Sequence, residues 1–261
     1  MIHFYCGSQG VGETLLHAQA VHELAKNDKI TLHTLPFRWH GERYQNKENK
    51  GPCPVWFFHP SIQTDRIVIE KTIHPNYKIQ VRGDEHHSIT ICRAWGVAVT
   101  EPDFYLQHRN QPLLLHTGKN VGVFLRKIDK DTECNYDLFY KLTELLTDNG
   151  VTVYQIDGEE TILPNARQDF KNIGIVELCE RIDSFHCVVG PSSGATHIAK
   201  GFNVTCFDIW DWKRFEANTN QVYTMYHYSN QHCYTANGPL LPGTKPASPE
   251  LLAADIIRMM L

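Results

Sequence analysis

The chain has 261 residues, of which 42% are hydrophobic and 21% charged, and a formal net charge of −4. Such a length can bury a core without disulfides or metal, and the composition excludes collagen-like and wholly disordered chains. The acidic balance gives no general attraction to nucleic acid or anionic lipid, and no apolar run is long enough to cross a bilayer.

The first residues, Met-Ile-His-Phe-Tyr-Cys-Gly, carry neither a basic leader nor a long apolar core, so a cytoplasmic protein is expected. The eight cysteines form no Cys-x-x-Cys pair and no zinc-ligand spacing, which fits reduced thiols. A strand is expected over residues 2–6, then a glycine-rich turn, Gly7-Ser-Gln-Gly10-Val-Gly12. Core-spaced Leu16, Ala20, Val21 and Leu24 predict one helix over 13–26, and 30–35 reads as a second strand. Residues 38–54 are polar and read as a long loop. Short strands are expected at 55–58 and 66–70, a helix at 84–95, and a linker over 100–119.

The same rhythm then restarts. Strands are expected at 121–125, 151–156, 187–190 and 204–209, and helices at 136–149, 175–183 and 195–200. Gly150 is placed to cap the first of these helices in the left-handed region. Ser248-Pro249-Glu250 opens a final helix, with serine as N-cap and proline in the first turn. Strands alternating with helices imply parallel sheets, and two such runs across a linker imply two domains. The expected architecture is α/β, with two Rossmann-like domains facing across a cleft. Residues 1–115 would form the first domain, 116–247 the second, and 248–261 a final helix.

Ligands of open α/β sheets bind beyond the carboxyl ends of strands, so two junctions matter most. The first, Gly7 to Glu13, lacks both the Gly-Lys-Ser/Thr ending of a phosphate-binding loop and the Gly-x-Gly-x-x-Gly dinucleotide spacing. It places the carboxylate of Glu13 at the start of a helix, where it is either a reactive group or a helix-dipole partner. The second is Val188-Val-Gly190-Pro-Ser192-Ser193-Gly194-Ala195-Thr196-His197. Small and hydroxyl residues at a helix start after a buried strand make a diphosphate cradle, with a capped tight turn as the plainer alternative.

The segment from Val188 to Trp210 resembles the donor-site segment of the heptosyltransferases, glycosyltransferase family 9. Gly10-Val-Gly12-Glu13-Thr-Leu-Leu resembles the family's N-terminal Gly-x-x-Gly-Asp-x-Leu, with Glu13 where a catalytic Asp stands. Arg93-Ala-Trp-Gly-Val, residues 136–157, Ile175-Val-Glu-Leu-Cys-Glu and Ser248-Pro-Glu-Leu-Leu resemble further family segments in the same order. Glutamate instead of aspartate at 13, serine at 192 where aspartate is frequent, and the short chain are the departures. The resemblance implies a GT-B fold, metal-independent chemistry and a nucleotide-diphosphate sugar donor, UDP- or ADP-linked. It implies no cofactor.

That chemistry asks for a base at the acceptor hydroxyl, for which Glu13 is the candidate. It asks for positive charge or N–H groups at the departing diphosphate, for which Arg126 and Lys127 are placed after a strand, opposite Ser192, Ser193, Gly194, Ala195, Thr196 and His197. The N–H groups of Ser193 to Ala195 are the expected diphosphate donors. A nucleoside and sugar pocket is expected from Gly12, Gly158, Ile175, Val176, Leu178 and Asp211. Asp129-Lys-Asp131 reads as a solvated turn, and the fifteen histidines offer no convincing ligand set, so no metal is expected. A monomer is expected. The acceptor is a saccharide or, given Arg38, His40, Arg43, Lys47 and Lys50 in the long loop, a hydroxylated base in DNA. A nucleotide-sugar epimerase or hydrolase, or a non-catalytic nucleotide-sugar binding module, are the alternatives.

Overall fold

The structure is a computed structural model of the whole chain. It describes residues 1–7, 10–37, 51–77, 85–108, 118–125, 136–156, 162–170, 173–212, 223, 227–228 and 231–261. The chain divides into two compact units: residues 1–110 with 224–229, and residues 111–223 with 230–261. Each has its own parallel sheet.

In unit 1, β1 (Ile2–Cys6), β2 (Ile30–Thr34) and β3 (Ile67–Ile69) lie side by side in that order. Their side chains alternate: Phe4, Cys6, Ile30, Leu32 and Thr34 are buried, while His3, Tyr5, Thr31 and His33 are not. Instead of one helix over 13–26 there are two, α1 (Val11–Leu16) and α2 (Ala18–Ala25), broken at His17. The cause is local. His17 Nδ1–H donates to the carbonyl of Glu13 at 3.0 Å, taking the acceptor its own backbone N–H would use, and that N–H turns to Thr14 instead. Residues 54–58, whose apolar run suggests a strand, form a 3₁₀ helix with Pro54 in its first turn; Val55, Trp56 and Phe58 are buried. After β3 comes α3 (His87–Ala94).

Unit 2 runs β4 (Asn120–Phe124), α4 (Tyr136–Asp148), β5 (Thr152–Ile156), β6 (Arg167–Phe170), α5 (Ile175–Arg181), β7 (Cys187–Pro191), α6 (Gly194–Gly201), β8 (Thr205–Asp211), β9 (His232–Ala236), β10 (Lys245–Pro246) and α7 (Pro249–Met259). The seven strands order as β10-β9-β8-β7-β4-β5-β6. Val121 pairs with Cys187, so both belong to one sheet, separate from that of β1, as expected. All five residues of β4 are buried, as in parallel sheets covered on both faces. Gly150 takes φ +74° after α4. Ser248 Oγ accepts from the N–H of Leu251 at the start of α7.

The final helix, α7, puts Leu252, Ala253 and Ile256 into the unit 2 core, with Leu138, Leu142 and Leu146 of α4. The apolar stripe of α4 is what it covers.

Candidate functional site

In unit 2 the order of strands reverses between β4 and β7. Chain-successive strands run outward to β5 and β6 on one side, and to β8, β9 and β10 on the other. A crevice beyond the carboxyl ends at such a reversal is where α/β sheets bind ligands. Gly190, near the end of β7, stands where backbones meet: a Cβ there would lie 2.8 Å from the carbonyl oxygen of Phe124. Only glycine lets the two strand ends close up so tightly.

The turn leaving β7 enters α6 directly. Ser192, Ser193, Ala195, Thr196 and His197 are all buried, and Gly194 is partly exposed. Thr196 Oγ1 accepts from the N–H of Ser193 at 3.0 Å and donates to its carbonyl at 2.9 Å. That is one half of a capping box. Ser193 N–H is thus committed within the turn, while the N–H groups of Gly194 and Ala195 lie in the first helical turn.

Asp211 ends β8, next to β7, and both of its carboxylate oxygens accept from Asn237 Nδ2 at 2.9 Å. This ties the ends of β8 and β9 together. On α5, Ile175 and Leu178 are buried while Val176 is 40% exposed, so only Val176 of the three offers surface. Arg126, Lys127, Gly158, the Asp129–Asp131 pair and the basic residues at 38–50 lie outside the described residues.

Glu13 and Gly12 lie in unit 1. The helix α1 starts at Val11 with Gly10 as N-cap, so Glu13 is its third residue, not its first. It is exposed, and a Cβ on Gly10 would stand 3.8 Å from Glu13 Oε2, so the carboxylate folds back over the N-cap. Two residues that sequence reasoning passed over support this corner. His17 fixes the Glu13 carbonyl, and burial pushes its imidazole down to about 4, so it is neutral at physiological pH. Tyr77 stacks on His17 with ring centroids 6.2 Å apart. His17 could have been found, since it stands four residues after Glu13 on the helix; Tyr77 had no local signal.

Among the described residues no group of three His, Cys, Asp or Glu side chains is arranged to hold a metal ion. Among them, too, no helix is long and apolar enough to cross a membrane.

No protein-family model matches the chain, and no curated protein matches it significantly. Solved structures do. The ADP-heptose lipopolysaccharide heptosyltransferase II of E. coli superposes with a TM-score of 0.66 at 10% identity, over 100% of this chain and 98% of that one. A glycosyl transferase family 9 protein from Veillonella parvula gives 0.62 at 9% identity, over 99% and 95%. The iron-containing dodecameric glycosyltransferase TibC of enterotoxigenic E. coli gives 0.54 at 11% identity, over 88% of this chain. The chain spans 61% of the length of TibC. The fold is therefore that of the heptosyltransferases. The resemblance in sequence motifs and the likeness in fold point to the same group of proteins.

Proposed function

We propose that the chain is a glycosyltransferase that moves a sugar from a nucleoside-diphosphate sugar to an acceptor hydroxyl. A fold alone does not set an activity, so the site must carry the argument. The observation that carries it is the buried Ser192–His197 turn at the β4/β7 reversal, which offers first-turn N–H groups at the carboxyl edge of the sheet. In this reading Gly194 and Ala195 N–H hold the diphosphate with Arg126 or Lys127. Val176 then lies at the nucleoside, and Glu13 takes the acceptor's proton as the glycosidic bond to the diphosphate breaks. No metal or other cofactor enters this scheme. Of the two nucleotides weighed, the ADP link is favoured, because the E. coli neighbour acts with ADP-heptose. The acceptor is a saccharide or, less simply, a hydroxylated base in DNA.

A binding module without catalysis is the competing reading. The observation in its favour is that the Glu13 carboxylate folds over Gly10, as a capping residue does. Glu13→Gln separates the two, because it preserves size and hydrogen bonding while removing the base. A thermal-shift titration with ADP, UDP and their sugars first establishes donor binding. The variant is then expected to keep that shift while turnover falls by roughly two to four orders of magnitude. Retained turnover would reduce Glu13 to a cap.

A further inference from the structure

The break between α1 and α2 is made by a side chain, and the fold gives up stability for it. In a continuous helix the N–H of residue 17 would bond to the carbonyl of Glu13, four residues back. Here His17 Nδ1–H takes that carbonyl at 3.0 Å, and the His17 N–H turns to Thr14 at 3.1 Å. The imidazole is 2% exposed, and its Nε2 is buried with no hydrogen-bond partner among the described residues. A leucine would fill such a space without an orphaned acceptor and would return the Glu13 carbonyl to the helix. An unsatisfied buried acceptor is destabilising, so packing does not account for a histidine at this position. What the ring supplies is the Nδ1 donor.

That donor refers Glu13 to the sheet. The His17 ring stands edge-on to Phe4 of β1, with centroids 6.1 Å apart, and stacks on Tyr77 at 6.2 Å and 27°. Tyr77 in turn lies on the Gly7 backbone just past β1, where an added Cβ would come within 2.7–2.9 Å of three of its ring carbons. The imidazole is thus oriented from two sides by groups on and just past β1, and it holds the backbone of Glu13. The six-residue α1 takes its direction from the strand end and not from a helix axis shared with α2. So does the point from which the Glu13 side chain leaves the backbone. Resting on Glu13 as the base of the proposed glycosyltransferase, we propose that His17 is its positioning residue. The Nδ1–H bond sets where the carboxylate meets the acceptor hydroxyl, while the buried ring itself touches no substrate.

The test measures nucleoside-diphosphate release from ADP-heptose, ADP-glucose and UDP-glucose, with methyl pyranosides of glucose, galactose and mannose as acceptors, beside the thermal shift each donor gives. His17→Leu removes the donor and lets the helix run on. It should lower kcat roughly tenfold to a hundredfold, the effect of a small misplacement of a catalytic group. The donor thermal shift and the acceptor KM should stay within about twofold, because ground-state binding is untouched. The melting temperature of the free protein should not fall. His17→Asn, whose Nδ2 stands where the imidazole Nδ1 does, should recover kcat to within a few-fold. His17→Met, flexible and equally without a donor, takes the place of the leucine variant if that one unfolds. A kcat in these apolar variants within about twofold of wild type, where Glu13→Gln is slow, overturns the positioning role and leaves the glycosyltransferase reading intact. A fall in kcat that comes with loss of the donor shift or of the melting temperature does the same, since it marks a merely structural role. So does an asparagine variant as slow as the leucine one, because the ring and not its donor would then carry the effect. A Glu13→Gln variant as fast as wild type overturns Glu13 as base and His17 with it. Wild-type protein that releases nucleoside diphosphate from none of the three donors overturns the glycosyltransferase reading as well.

Discussion

The two sheets are built from different kinds of strand. In unit 2, β4 and β7 bury both faces: Val121, Val123 and Val189 are closed off from water on one side, Phe124 and Val188 on the other. In unit 1, β1 and β2 bury one face, and the other bears His3, Tyr5, Thr31 and His33, with Val68 of β3 exposed opposite His33. Unit 2 is thus held by apolar burial on two sides. On its second face, unit 1 substitutes rings and hydrogen bonds: His33 bridges Glu70 at 2.7 Å and His3 at 2.8 Å. The lesson is that the same strand-helix rhythm supports two energetic regimes, one stiff and apolar, one half-polar and titratable.

The largest effect that can break this contrast lies in the unit 2 core. Leu142 is fully buried between the sheet and α7, among Leu138, Leu146, Leu252 and Ile256. Leu142→Ala removes that contact and leaves a cavity, with an expected cost of about 2–5 kcal/mol in urea unfolding. A cost below about 1 kcal/mol would mean that α7 does not seal the core, and the distinction between the units would fail.

An intermediate effect should appear with pH. His17 and His59 both belong to unit 1, and burial pushes each imidazole down to about 4. His59 Nε2–H donates to the carbonyl of Ala18 at 3.0 Å, and its Nδ1 accepts from Ser61, which fixes the neutral tautomer. For a base whose folded pKa is depressed, the unfolded chain takes up the proton first. Stability is therefore present above the ordinary value of 6.5, falls as pH drops from 6.5 toward 4, and levels off below. Each group can contribute at most about 1.4 kcal/mol per pH unit in that window. Unit 1 amides should lose hydrogen-exchange protection between pH 6.5 and 4 before the β4–β7 amides do. His17→Asn with His59→Asn should flatten the slope. Loss that begins in unit 2 would contradict the assignment.

Unit 2 was the more legible region from sequence for the same reason that it is the stiffer. Runs such as Cys187-Val-Val-Gly190 and the stripe of α4 carry their period in apolar residues, and β4, α4, β5, β7, α6 and β8 lie where that period puts them. The strand β6, Arg-Gln-Asp-Phe, has no apolar pattern because it sits at the sheet edge, and β9 and β10 were passed over as well. In unit 1, Val55-Trp-Phe-Phe looked like a strand because its residues favour one, but Pro54 set the first turn of a 3₁₀ helix. The break at His17 follows from one side chain competing for one carbonyl, which periodicity does not register. Of the site, the Ser192–His197 turn was visible as a composition, whereas its internal bond from Ser193 N–H to Thr196 was not. Tyr77 reaches Gly7 from seventy residues further along, a distance no motif encodes.

The smallest expected effect sharpens the contrast from the other side. His33→Phe keeps a ring of similar shape in the stack with Tyr5, at 4.6 Å, and near His74, at 6.0 Å. It removes both hydrogen bonds of the Glu70–His33–His3 chain. His3 is exposed and Glu70 is only partly covered, so water can replace the lost partners. Partly exposed pairs of this kind are worth about 0–1 kcal/mol, and the retained stacking offsets some of the loss. The expected change in urea unfolding is therefore a destabilisation below about 1 kcal/mol, several times smaller than that of Leu142→Ala. A cost of 3 kcal/mol or more would show that this face is as closed to water as the unit 2 core, with a buried carboxylate left unpaired at Glu70. The two sheets would then differ in residue type but not in regime.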